Sequence, residues 1–320
     1  MYEEGFHHLF INSPDPELLK DIPSSLVSRD QKVSSLAVAP AQKYRMTGQT
    51  KWTIVAVPSP AWAKKVFPGL SEEDAVNALW DKIFEAVRIT SDDPVKAWKE
   101  HDRKLKEYLA FLNSAGFAGL RLKGPGTDLD VGLADGHLWI GGSKKSLAGD
   151  PFIANIPTEE VFTTPHRLKV NGTLRATKPL SLNGRIVDGF GFEFRDGRVT
   201  DHYADKGSEV LSDLLANDSG APYLGEIALV PDKSPISETG ILFNNTLFDE
   251  NASVHFALGR AYPYAMTDGA AKTNEELEAL GANYSLIHTD FMVGGPKLEI
   301  TAYSADGTLT PVFRKGNWAF

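Results

Sequence analysis

No cysteine occurs among the 320 residues, which excludes disulfides and thiolate metal sites and leaves oxygen and imidazole as the donors for any bound metal. No apolar run approaches the ~20 residues needed to cross a bilayer, and Met1 to His8 has neither the basic flank nor the apolar core of a secretory leader. Positive charge is also scarce: 33 Lys and Arg face 42 Asp and Glu, a net −9 with a pI near 5.4. That balance argues against nucleic acid or an anionic membrane as partner, since both demand clustered cations to displace counterions. The one basic pair, Lys144-Lys145, reads as too small to matter. A cytoplasmic protein is the expectation.

The composition itself is that of an ordinary globular protein, 42% hydrophobic and 23% charged, at a length expected to form two domains with a core each. Phe6 to Ile11 reads as a short strand stopped by Ser13-Pro-Asp-Pro16. Trp52 to Val57 is a β-branched apolar run ahead of Pro58-Ser-Pro60, the pattern of a strand buried on both faces of a parallel sheet. Ser71, with Asp74 three residues later, opens a helix striped by Val76, Leu79, Trp80, Ile83, Phe84 and Val87. Asp93-Pro94 caps a second helix whose apolar stripe, Trp98, Leu105, Tyr108, Leu109 and Leu112, runs out at Gly116.

Past Gly116 short strands alternate with Gly, Asp and Pro turns, and the Asp-Gly pairs at 196–197 and 306–307 call for positive φ. Lys123-Gly-Pro-Gly-Thr127 lacks the Lys-Ser/Thr ending of a phosphate loop and reads as a plain turn. The expected fold class is α/β: a partial three-layer α/β N-terminal domain over 1–115, and a mixed, largely antiparallel β-rich α+β catalytic domain over 116–320.

Chemistry enters where polar groups interrupt apolar runs. Leu247 to Gly259 sets Asp249, Glu250, Asn251 and His255 among hydrophobic residues, and buried polar groups need partners or a metal. Period two in Leu224 to Val230 puts Glu226 on a face with Leu224, Ala228 and Val230, and the same period sets His288 beside Asp290. Glu159-Glu160 follows Pro157-Thr158, where a helical first turn is the bland reading. Taken singly, each has a structural explanation: an ion pair, a solvated edge or a satisfied core histidine. Together, three acids and two imidazoles without any thiol have the makings of a two-cation hydrolase.

Asn155 to His166, Tyr223 to Val230, Asn245 to His255, Ala261-Tyr-Pro263 and His288 to Val293 resemble the thermophilic aminopeptidase family, the aminopeptidase T-like metallopeptidases. The likeness extends to flanks such as Pro60 to Phe67, Gly124 to Asp128 and Phe313 to Trp318. It implies that Glu160, Glu226, His255, His288 and Asp290 hold two divalent metal ions (zinc, cobalt or manganese). Tyr262 matches a family tyrosine near the metals and would serve the oxyanion, with Glu160 or Glu226 as general base. Glu159, Asp249 and Glu250 are candidates to anchor the substrate amine. The family further implies short peptide substrates and a homodimer, and its members begin earlier than this chain, so an incomplete parallel sheet with an open edge is expected. Two readings compete: a two-metal phosphoesterase, for which only Arg167 and Arg260 lie near the ligands in sequence, and a non-catalytic family member that binds metal or peptide without turnover.

Overall fold

A computed structural model describes residues 6–46, 48–182 and 184–320. At the amino end the strands His8–Asn12 and Trp52–Ala56 pair in parallel, joined by the helix Ser24–Met46. The parallel pairing follows the sequence reading, with the first strand shifted toward Asn12. The expected burial on both faces does not: Trp52 to Val55 are only half-buried, and Leu9 and Ile11 are exposed. The ladder has two strands among the described residues. Its second edge is held by Ile54, whose amide donates to the Ala154 carbonyl and whose carbonyl accepts from Ile156.

Three capped helices follow. Ser59 caps Pro60–Val66 through the Trp62 amide, Ser71 caps Glu72–Ala86 through Asp74, and Asp93 caps Pro94–Ala115 through Lys96. The last helix ends at Gly116 in the left-handed conformation, φ 59°, which glycine adopts without a steric penalty. Leu79 and Ile83 of the expected stripe are fully buried while Val76, Trp80 and Phe84 pack at its margin. This core is built jointly with distant chain: Trp62, Leu79 and Ile83 pack with Ile236, Phe243 and Phe248.

The remainder forms two main antiparallel sheets and two short two-stranded ladders, Lys144–Lys145 with Pro151–Phe152 and Leu180–Leu182 with Arg185–Val187. The larger has eight strands, with Gly119–Gly124, Thr127–Leu133 and Pro165–Arg175 near its centre. The smaller has five, in an order that follows the chain: Ile140–Gly141, Val161–Thr163, Leu224–Leu229, His255–Gly259 and His288–Met292. Leu122, Val131, Val170 and Phe192 of the larger sheet share one core with Val161, Ile227, Phe256 and Phe291 of the smaller, and Leu105, Leu109 and Leu112 of the long helix close it. The residues after Gly124-Pro-Gly make the plain hairpin expected. Asp196 and Gly197 both take positive φ, whereas at the second Asp-Gly turn only Gly307 does. There Asp306 accepts the Thr308 amide at 2.9 Å instead.

Asp249 illustrates how this layer is fixed. Its carboxylate accepts the backbone amides of Phe243 (2.8 Å) and Asn245 (3.0 Å), and burial pushes its pKa up to about 6. The folded protein therefore keeps a proton that the unfolded chain releases near the ordinary value of 3.8. The associated stability is present below that value, declines as pH rises toward 6, and is flat above. Asp249→Asn should abolish this slope, so the stability of wild type relative to the variant falls by on the order of 2 kcal/mol between pH 4 and 7. Urea midpoints of both proteins across that range measure it. Parallel curves would show that the carboxyl does not titrate there.

Candidate metal centre

The smaller sheet turns one face to the core and gathers its polar side chains on the other. Registry explains the grouping: Ala228 pairs with His255, Ala257 with Asp290 and Gly259 with His288, while Phe162 pairs with Ala228. Alternation then sends Glu160, His255, His288 and Asp290 to one face. Glu226 reaches that face through an irregularity. A bulge between Leu224 and Glu226 inserts Gly225, so Leu224 joins the core with Ile227 and Leu229 while Glu226 lies with Ala228. The expectation that Leu224 and Glu226 share a face is thus corrected. Gly225 is required for close approach, because a Cβ there would run into the backbone of Arg260.

All five predicted side chains converge. His255 Nε2 lies 3.1 Å from Glu160 and 3.7 Å from Glu226 Oε1, while His288 Nε2 lies 3.3 Å from Asp290 and 3.8 Å from Glu226 Oε2. Glu160, Glu226 and His255 form one group whose donor atoms lie within 4.8 Å of one another, and Glu226, His288 and Asp290 form a second. Glu226 belongs to both, one oxygen toward each histidine.

The donor set fits divalent cations. His255 Nδ1 faces the Ser253 carbonyl at 3.2 Å and His288 Nδ1 the Arg260 carbonyl at 2.7 Å, an arrangement that leaves each Nε2 free as a lone-pair donor. Glu226 Oε2 is buried without any hydrogen-bond partner. Burial, reinforced by Glu160 and Asp290, pushes the Glu226 carboxyl pKa up against the pull of both histidines. Burial alone would depress His288, but Asp290 and Glu226 hold it at about 9. Without a cation, the cluster thus retains protons to offset crowded negative charge, which a metal would replace.

The family model described as thermophilic metalloprotease (M29) matches residues 1–318. The chain belongs to this M29 metalloprotease family. Aminopeptidase 2 of Geobacillus stearothermophilus is 46% identical over 318 residues, spanning 99% of this chain and 77% of that one. Aminopeptidase T of Thermus thermophilus is 45% identical over 317 residues, with 99% and 77% covered. The solved structure of wild-type AmpT from Thermus thermophilus superposes with a TM-score of 0.92 at 44% identity, covering all of this chain and 78% of that one. The α/β fold with largely antiparallel sheets is therefore the fold of an M29 metalloprotease.

Within this metalloprotease the three acids proposed for the substrate amine separate. Glu159 turns away and is gripped by both terminal nitrogens of Arg88, at 2.5 and 2.7 Å, with His101 at 3.5 Å. The helical first turn of the bland reading is not formed here; Glu160 leads directly into the Val161–Thr163 strand. Asp249 is committed to backbone amides. Glu250 alone lines the cavity with the five clustered residues, and burial together with Asp290 and Glu160 raises its pKa well above the usual carboxylate range.

Tyr262 also lines this cavity, its ring 4.6 Å from that of His288 and 5.1 Å from Tyr264, which stacks on it. Burial raises its pKa well above 10, so the phenol remains a donor. Tyr264 and Lys144 are among the lining residues that the sequence reading does not single out. Tyr264 carried no signal beyond its neighbour, and Lys144 had been discounted as half of a small basic pair. The Lys144 ammonium sits 4.1 Å from the Tyr264 ring centroid, and burial lowers its pKa to about 8 despite Glu160 and Glu226. Arg167 instead pairs with Glu278. No helix among the described residues is long and apolar enough to cross a membrane.

Proposed function

We propose that this metal-dependent aminopeptidase holds two divalent cations, one between Glu160, Glu226 and His255 and one between Glu226, His288 and Asp290, and removes the N-terminal residue from short peptides. The observation that carries the reading is the division of Glu226 between two donor groups. Bound there, the cations would supply Lewis acidity, activating water at neutral pH and polarising the scissile carbonyl. Zinc, cobalt and manganese all suit a nitrogen and oxygen donor set.

The protein's own groups do the rest. Glu250, the one amine-anchor candidate facing the cavity, receives the free α-ammonium and selects for an unblocked terminus. Tyr262 donates its O–H to the developing oxyanion. Glu160 or Glu226 takes the proton from the attacking water and returns it to the leaving amine. Tyr262→Phe keeps the ring packing and removes that donor, so kcat should drop on the order of 10²-fold with KM little changed; steady-state kinetics on one dipeptide check this, and an unchanged kcat would remove Tyr262 from the mechanism.

The division at 115/116 enters the proposal as one of role. Residues 116–320 contain all five metal-binding side chains, and 1–115 contribute Arg88 and His101 to brace Glu159 and Trp52 to the cavity wall. The exposed Leu9, Ile11, Leu26, Val33 and Leu36 support a homodimer, which sedimentation equilibrium would refute by finding monomers. A cytoplasmic location accords with this reading.

The test is release of free amino acid from unblocked dipeptides and tripeptides, with N-acetylated controls, after chelation and separate readdition of each metal. Metal-restored cleavage confined to free amino termini supports the proposal. Equal cleavage of the acetylated peptides would exclude an aminopeptidase, and a folded, metal-loaded protein without turnover would favour the binding-only alternative.

A further inference from the structure

The cavity at the metal centre is small, about 70 Å³, which accommodates ions and water but not the body of a peptide. Three larger cavities adjoin it. The one beside Arg260 shares only Tyr262 with it and carries the acids Glu275 and Glu278; the one beside Leu286 shares only His288 and carries Asp213.

The third, of about 350 Å³, shares Trp52, Gly141, Lys144 and Tyr264 with the metal cavity, so the two lie on either side of that wall. Its charge is distinctive in a chain of net −9. Arg45, Lys106, Lys144 and Lys145 line it, and among the described residues no Asp or Glu does. The half-buried Trp52 and Phe152 are among its apolar lining, and Trp139 lies behind the wall with its indole N–H buried without a partner.

The four cations are not equivalent. Lys106 is committed to the carbonyls of Gly141 and Ser143, which fixes the turn before Lys144. Arg45 lies over the Phe10 and Trp52 rings. Lys144, on the shared wall, makes neither a hydrogen bond nor an ion pair among the described residues; its ammonium rests on the rings of Tyr264 and Phe162, at 4.1 and 5.8 Å. A cation so placed is desolvated with no carboxylate in contact, Glu160 and Glu226 acting on it only at a distance.

A zwitterionic short peptide has the complementary polarity. Its ammonium belongs at the acidic metal cavity, and its carboxylate lies only ~3.5 Å per residue farther along the chain. We infer that the cation-lined cavity is the subsite for the carboxyl-terminal end of the substrate, with Lys144 binding the free α-carboxylate of a dipeptide or tripeptide and Trp52 and Phe152 packing its last, large apolar side chain. The inference rests on the aminopeptidase reading and narrows it to short peptides with an unblocked carboxyl end.

The decisive comparison uses the metal-loaded enzyme on Leu-Phe and on Leu-Phe amide, which differ only in the terminal charge. Wild type should favour the free acid on the order of tenfold in kcat/KM, mostly through KM, as expected for one charge-assisted hydrogen bond. Lys144→Met should collapse that ratio toward one, and Lys144→Arg should retain most of it. The wild-type comparison needs no variant to fold. A wild-type ratio near one, or a ratio that survives Lys144→Met, overturns the inference. Equal cleavage of both peptides overturns it while leaving the aminopeptidase reading intact; no cleavage of either by metal-loaded protein overturns both.

Discussion

Glu226→Gln should empty the centre of metal and lower kcat/KM on the order of 10³-fold or more, while the fold survives. The substitution is isosteric, so the buried volume opposite Ala257 is kept. What changes is charge: the carboxylate that faces both histidines becomes an amide with one carbonyl oxygen, a much weaker ligand for a hard cation. Because each group of donors includes Glu226, both ions should be weakened together. Asp290→Asn, which touches only the second group, should leave the first able to bind. Metal content per chain after dialysis, with dipeptide kinetics, separates the two variants. The metal-free Glu226→Gln protein should be as stable as the parent or more so, since burial makes the ionised carboxylate costly. Full metal content with undiminished turnover would refute the shared-ligand reading.

Arg88→Ala carries the largest stability penalty we expect, about 3 to 5 kcal/mol. The guanidinium meets Glu159 in a two-pronged pair whose carboxylate side chain is only 5% exposed, and it also lies over the Trp98 ring at 5.2 Å. Deleting it strands a buried negative charge with His101 as its remaining ionisable neighbour. A second substitution, Glu159→Gln, should recover much of the loss, because the stranded charge and not the missing contact dominates. Urea unfolding of the two single variants and the double variant gives the coupling directly. A loss below 1 kcal/mol for Arg88→Ala would mean that water reaches Glu159 once the arginine is gone.

Much of the helical layer was legible because its signals are local. Ser71 and Asp93 cap as their side chains predict, and Leu79, Ile83, Leu105, Leu109 and Leu112 are buried at the expected spacing. His288 and Asp290 stand side by side because strand alternation needs no distant information. The convergence of all five metal-binding candidates was reached through family resemblance, since nothing local says that Glu160 and Asp290 meet.

The misreadings each involve a nonlocal cause. Leu224 was placed with Glu226 because a bulge depends on the partner strand as well as on Gly225. Trp52 to Val57 reads as buried on both faces, but burial of a strand is decided by what packs over it. Lys144 was dismissed by counting charge along the chain; its position in the hairpin of Lys144–Lys145 with Pro151–Phe152 is what delivers it to the cavity.

Glu159 and Glu160 are neighbours on one strand approach, yet the first is clasped by the helical layer and the second faces His255. A single peptide unit therefore joins a buried interlayer ion pair to the proposed chemistry. Heat that pries the helices loose pulls first on a residue proposed to hold metal, so loss of activity on ageing or warming would precede gross unfolding, and the enzyme would fail at its centre before it failed as a globule.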